Sequence, residues 1–238
     1  MNSIRDGVSD IDSLWDYQDP QGSGDRFRSI LPATMAPEHQ SYRLELMTQI
    51  ARTEGLQDRF DEANSILDQV EAELSDEGHR PRIRYLMERG RALNSSGSPE
   101  QSRSYFLDAY EIAKGSGEDY LTIDAIHMLA VVESPEKQIE WGLLGLKIAQ
   151  KTTNKRAADW QGPLYNNLGW TYYDLERYAD ALPLFQASLA WREEQRDERG
   201  TKIAAGALVE CLRKLGRSEE AAALEARYGG EDAPESVP

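Results

Sequence analysis

The chain repeats itself. Arg59-Phe60-Asp61-Glu62-Ala63 resembles Arg177-Tyr178-Ala179-Asp180-Ala181 and Arg217-Ser218-Glu219-Glu220-Ala221. Pro99-Glu100-Gln101-Ser102 matches Pro135-Glu136-Lys137-Gln138, and the two lines stay in register to Glu111-Ile112-Ala113-Lys114 and Lys147-Ile148-Ala149-Gln150. With Ala63, Ser102, Gln138, Ala181 and Ala221 taken as equivalent, the steps are 39, 36, 43 and 40 residues. Self-similarity at such a period marks a repeat array, whose units cannot bury their apolar faces alone and must stack on one another.

Apolar residues recur at three- and four-residue steps in almost every window between 39 and 228, which is the spacing of an amphipathic helix. The breaks fall at Gly55, Gly78, Ser96-Gly97-Ser98-Pro99, Gly115-Ser116-Gly117, Ser134-Pro135, Gly200 and Gly216. Pro99 and Pro135 suit the first position of a helix, with Ser98 and Ser134 as candidate N-caps. No Asn-Gly or Asp-Gly pair sits between alternating apolar residues, so sheet is not expected. The predicted helices pair as 39–55 with 59–75, 80–95 with 99–114, 118–133 with 135–151, 156–175 with 178–196, and 201–215 with 218–228. The units are then about 39–77, 78–117, 118–153, 154–199 and 200–228.

The ends differ. Residues 1–38 carry Pro20, Pro32, Pro37, Gly7, Gly22 and Gly24 and read as an extended arm with a short helix at Ser9–Asp16. Residues 229–238 hold two glycines, two prolines and three acids and read as a disordered acidic tail.

Charge and composition narrow the function. The 42 acidic and 27 basic side chains leave a net charge of −15. That argues against nucleic acid or an anionic membrane as partner, since both need a basic face. An apolar share of 39% suits thin elements that each bury one stripe better than one compact globule. One cysteine excludes an internal disulfide, and three histidines leave no Cys/His zinc site to expect. No phosphate loop, dinucleotide glycine pattern, Gly-x-Ser-x-Gly or His-Glu-x-x-His is present. Neither catalysis nor a cofactor or metal is therefore expected. Without an apolar leader, an 18-residue apolar run or a lipidation box, the expected compartment is cytoplasmic.

In the fourth unit, Tyr165, Leu168, Gly169, Tyr172, Ala181 and Phe185 fall at the offsets of the tetratricopeptide repeat, and the unit resembles that family. Ala51, Ala63 and Leu67 match in the first unit, and Gly90, Leu93, Phe106 and Ala109 in the second. The third and fifth depart from the pattern: Gln138 and Gly142 replace the small and aromatic residues, and Glu225 replaces the aromatic. No unit keeps the family's terminal proline. The long spacings and the Leu164-Tyr165-Asn166-Asn167-Leu168-Gly169 run resemble the extended repeats of kinesin light chain. HEAT or armadillo repeats, with a period of about 40–47, are the alternative. The resemblance implies an all-α, right-handed superhelical solenoid of five helix hairpins that binds protein or peptide in a concave groove lined by the first helix of each unit.

In that register the groove candidates are Arg52, Arg84, Arg91, His127, Asn166, Asn167, Trp170 and Tyr173. Three arginines on an inner face of so acidic a chain would attract an acidic peptide, unless they pair with Glu45, Glu88 or Glu54. The two asparagines could clamp an extended backbone or bond between helices. Trp170 and Tyr173 could anchor an apolar side chain or pack between units. His127, among Ile126, Met128 and Leu129, has the setting of a structural histidine. Trp141, Trp160 and Trp191 read as packing residues, and Cys211 as a small buried filler.

The arm carries Asp12-Ser13-Leu14-Trp15-Asp16-Tyr17. Its Leu14, Trp15 and Asp16 core resembles the tryptophan-acidic peptides read by kinesin light chain repeats. It could occupy the groove, cap the first hairpin or stay free. The expected function is a non-catalytic binding scaffold for a protein or an acidic, aromatic peptide, with the groove open to occupation by the chain's own arm. The alternative is a homo-oligomer formed through terminal helices. The small residues Ala204-Ala205-Gly206-Ala207 permit close helix contact, whereas Glu225 and Arg227 favour a solvated end. Thirty-eight residues ahead of the repeats leave too little for a DNA-binding helix-turn-helix.

Overall fold

The computed structural model describes residues 10–75 and 78–229. Among these, every regular element is helical. The chain divides into two compact units, Met1–Met128 and Leu129–Pro238.

The first unit holds α1 (Pro20–Ile30), α2 (Gln40–Gly55), α3 (Phe60–Glu73), α4 (His79–Ser95) and α5 (Pro99–Gly115). The division falls within α6 (Asp119–Val132). Helix α2 packs on α3 and on α4, and α4 packs on α5. Leu44, Ala51, Ala63, Leu67, Val70 and Tyr85 are buried where α2, α3 and α4 meet. The second unit holds α7 (Pro135–Lys151), the single turn α8 (Lys155–Ala158), α9 (Gln161–Asp174), α10 (Tyr178–Glu194), α11 (Glu198–Lys214) and α12 (Ser218–Tyr228). Its helices pack as α7 on α9, α9 on α10, α10 on α11 and α11 on α12. Phe185, Leu189, Leu208, Cys211 and Leu212 lie in its core.

Small residues set the hairpin spacing. A Cβ on Gly90 would sit 2.5 Å from the Phe106 ring, and one on Gly169 would sit 2.5 Å from Phe185. Each glycine lets an aromatic ring of the second helix lie against the backbone of the first. The turns share one geometry. Asp58, Gly97, Gly117, Glu176, Arg196 and Gly216 all have positive φ. Each is followed by a residue whose N–H closes a six-residue loop, as in Arg59 to the Glu54 carbonyl and Arg177 to the Tyr172 carbonyl. This is the Schellman ending, which satisfies carbonyls the helix leaves orphaned.

Four expectations change. Residues 10–38 are not extended: Pro20–Ile30 is an α-helix, and 3-10 turns occupy Ile11–Leu14, Leu31–Thr34 and Pro37–His39. Asp19 caps α1 by accepting from the Gly22 N–H, with Pro20 at the first position. Gly24, which suggested a loop, lets α1 approach α2: its Cβ would lie 2.7 Å from Thr53 Oγ1. Ser98 and Ser134 precede their helices but make no side-chain cap bond. The predicted helix 156–175 is two pieces, α8 and α9. Gly200 lies inside α11, where its N–H donates to the Asp197 cap. The predicted acidic tail falls, from residue 230 on, outside the described residues, as does the start of the arm.

Candidate peptide-binding face

In the first unit, the side chains predicted to face a groove on α2 and α4 meet the chain's own N-terminal segment. Arg84 Nη2 donates to both Asp12 carboxylate oxygens, at 2.9 and 3.0 Å, and Arg84 Nε donates to Glu45 at 2.9 Å. Both side chains of the Asp12–Arg84 pair are 7% exposed. Burial works against the guanidinium charge; Asp12 and then Glu45 outweigh it and hold the Arg84 pKa above the ordinary arginine value.

Trp15 Nε1 donates to Gln49 Oε1 at 3.0 Å. Its ring stacks on Tyr17 with centroids 4.8 Å apart and meets Phe27 edge-on at 5.2 Å. The Arg52 guanidinium lies 5.8 Å from the Trp15 ring centroid and 5.6 Å from that of Tyr17, within cation–π range. Beneath, Ile11, Phe27, Leu46 and Ile50 are buried together, with Leu14 packed against them. Among the described residues Asp16 takes no arginine. Its backbone N–H and carbonyl both bond the Ser23 hydroxyl, and its carboxylate accepts from the Gln18 N–H. The acid that reaches the predicted basic cluster is Asp12.

The arginines are also paired with acids of the repeats, mostly across helices. Glu88 Oε1 accepts from Arg52 at 3.2 Å and from Arg91 at 2.6 Å, and Arg91 also binds Asp124 at 2.6 Å. Burial and, against it, Asp124 and Glu88 act on Arg91, and the net effect raises its pKa. Burial disfavours the Asp124 charge, but Arg91 and Arg52 hold its carboxyl below the usual range. His127 joins this group, and burial pushes its imidazole below the ordinary histidine value, with Asp124 opposing. Glu54 is not a partner of these arginines; Arg28 of α1 and Arg59 hold it from both sides.

In the second unit, α9 carries the remaining candidates. Trp170 meets Tyr173 at 5.0 Å and Phe185 at 5.2 Å, and Tyr173 meets Tyr178 at 5.0 Å. Trp170 and Tyr173 are partly buried against the α10–α11 core, the packing arrangement set beside the anchor reading. Burial, then Glu210, raises the Tyr173 pKa. Asn166 is half-buried and its Oδ1 has no hydrogen-bond partner among the described residues, while Asn167 is exposed. Cys211 is buried, as expected, and donates to the Tyr178 carbonyl at 3.3 Å.

Helix α1, which seats Trp15 on Phe27 and clamps Glu54 through Arg28, was missed from the sequence. The signal was there in Asp19-Pro20, a capping residue followed by proline. Among the described residues no group of three or more His, Cys, Asp or Glu could hold a metal ion, and no helix is long and apolar enough to cross a membrane.

The tetratricopeptide repeat family model matches residues 160–228, the stretch in which the sequence pattern is fullest. No curated protein sequence matches the chain. Among solved structures, BtubC (BKLC) from P. vanneervenii is 16% identical with a TM-score of 0.71, covering 97% of both chains. A putative kinesin light chain from Podospora anserina with nearly identical repeats is 19% identical with a TM-score of 0.63, covering 81% of this chain and 95% of that one. A signal-transduction ATPase with a tetratricopeptide repeat sensor, from Pyrococcus horikoshii, is 15% identical with a TM-score of 0.70; the match covers 87% of this chain and 33% of that one. At these identities the likeness is one of fold. The all-α stack of helix hairpins and the resemblance to kinesin light chain-like repeats both stand.

Proposed function

We propose that this chain of tetratricopeptide-type repeats is a non-catalytic scaffold that binds an acidic, aromatic peptide on the α2–α4 face, and that its own residues 10–17 hold that face until a partner displaces them. Repeat proteins of this fold generally mediate protein–protein contacts. The observation that carries the finer reading is the chemistry of the segment already there: Asp12 on Arg84 and Trp15 between Gln49 and Arg52. An incoming peptide with a carboxylate three residues before a tryptophan would make the same contacts. The helix α1 that follows is a cap, because it buries Phe27 and Gly24 against α2, so capping and occupation belong to successive parts of one segment.

The test frees the face without removing the cap. A Trp15→Ala, Asp12→Ala variant is titrated with a labelled peptide of residues 10–17, and anisotropy is followed. The peptide should bind the variant at least tenfold more tightly than it binds the wild-type chain. A peptide lacking Trp15 should not bind. Equal binding to both proteins, or to neither, overturns the reading. The self-association alternative has less support: among the described residues α12 exposes no large apolar side chain.

A further inference from the structure

Residues 12–17 follow α2 in order. Asp12 meets Arg84, which also holds Glu45. Trp15 meets Gln49, and the Tyr17 ring lies beside Arg52. The contacts on α2 thus step from 45 to 49 to 52, along one helix face. The segment then turns away. The Asp19 N–H donates to the Asp16 carbonyl at 3.1 Å, and the Asp19 carboxylate caps α1.

The face continues where the segment leaves it. A cavity of about 230 Å³ shares Arg52 with the Tyr17 contact and is walled by Leu56, Phe60, Ala92 and Met128. No residue of the N-terminal segment lines it. Leu56 is a large apolar side chain left 50% exposed. The arginines on the wall, Arg52 and Arg91, are already matched by Glu88 and Asp124, so a charge entering would find no counter-charge. The volume falls below the roughly 300–1,000 Å³ of small-molecule sites and suits a single side chain.

We infer, resting on the peptide-binding reading above, that the partner peptide carries an apolar side chain four residues after its tryptophan and seats it in this cavity. The backbone at Trp15 is extended, with φ of −76° and ψ of 134°, and the Trp15 and Tyr17 rings stack on one side. In an extended chain residues two apart share a face and advance about 7 Å. The next position on that face lies one such step beyond Arg52. In this chain it is Asp19, which is committed to capping α1. The tethered segment therefore leaves the cavity unused, whereas a free peptide has no such commitment. That difference gives the partner its advantage. A short tether holds its own segment at an effective concentration on the order of millimolar. A more dilute competitor wins only through contacts the tethered segment does not make.

Three labelled peptides test this on the full-length Trp15→Ala, Asp12→Ala variant. The first is residues 10–17. The second continues with glycine and leucine, and the third with glycine and glutamine. The leucine peptide should bind at least tenfold more tightly than the other two, the scale of burying one such side chain. It alone should move the Met128 methyl resonance, assigned with Met128→Leu. Gly55→Leu should remove the gain and leave binding of the 10–17 peptide unchanged. Gly55 lines the cavity, and a Cβ there would meet nothing within 4 Å, so the melting temperature should stay within a few degrees. Equal binding of the three peptides, an equal gain from glutamine, or a gain that survives Gly55→Leu overturns the inference and leaves the peptide-binding face standing. Binding by none of them overturns both.

Discussion

The Asp12 carboxylate rests on the Arg84 guanidinium at 2.9 Å across 72 residues of sequence, and both side chains are almost fully withdrawn from water. Truncating one partner of such a pair leaves the other buried and uncompensated. Arg84→Ala should therefore destabilise the chain by about 3–5 kcal/mol, because it strands Glu45 as well as Asp12. Replacing both members, as Asp12→Asn with Arg84→Gln, should cost less than the sum of the two single changes. Urea denaturation of the four proteins measures this; strict additivity would mean that the pair does not interact in solution.

Glu54 gives the acid limb of stability. Burial raises its pKa, but the hydrogen bonds from Arg59 and Arg28 outweigh that and lower it below the ordinary glutamate value. A carboxylate depressed in the folded state contributes stability that is full above its unfolded pKa of about 4.3 and fades as pH falls toward the lower folded value. The melting-temperature gap between wild type and Glu54→Gln should thus be widest near neutrality and narrow as pH falls through the unfolded value toward the lower folded one. A gap that does not change with pH would show that Glu54 acts by packing alone.

Gly169 and Phe185 are a matched pair. Gly169→Ala places a methyl 2.5 Å from the ring and should cost about 1–3 kcal/mol, the usual penalty for overpacking. Phe185→Leu, which makes room, should recover part of that loss in the double variant. Thermal unfolding of the two single variants and the double variant reads the coupling, and the absence of rescue would place the strain elsewhere.

Three turns between successive helices put a side chain where three others use glycine. Glu176 and Arg196, with φ of 58° and 56°, are exposed and gain nothing from their β-carbons. A left-handed conformation costs a non-glycine residue about 1–2 kcal/mol, partly offset by the greater chain entropy glycine loses. Glu176→Gly and Arg196→Gly should each stabilise the second unit by roughly 0.5–1 kcal/mol, measured by chemical denaturation. Destabilisation in both would mean that the turn geometry differs in solution.

The helices were legible because each must bury a stripe, and burial writes a three- and four-residue rhythm into the sequence. From α2 to α12 the bounds fall within a few residues of that rhythm, save the break before α9. Proline and glycine misled at α1, where Pro20 begins a helix and Gly24 admits a neighbouring one. Composition cannot separate those uses from a loop. The basic cluster was also legible, but its pairing was not. Asp12 rather than Asp16 meets Arg84, and Glu54 serves Arg28 and Arg59. Pairs so distant in sequence depend on where α1 seats the segment, and no local pattern records that.

The Arg28–Glu54–Arg59 clamp has a practical consequence for partner screens. A fragment trimmed to begin at Gln40 would lose Arg28, Asp12 and Phe27 at once. Its first helix would present Leu46 and Ile50 bare beside a Glu54 that has lost one of its two arginines. Such a bait would be adhesive for reasons unrelated to its biology, and proteins retained on it would report the cut surface. Chains altered only at Asp12 and Trp15 keep the cap and give the cleaner comparison.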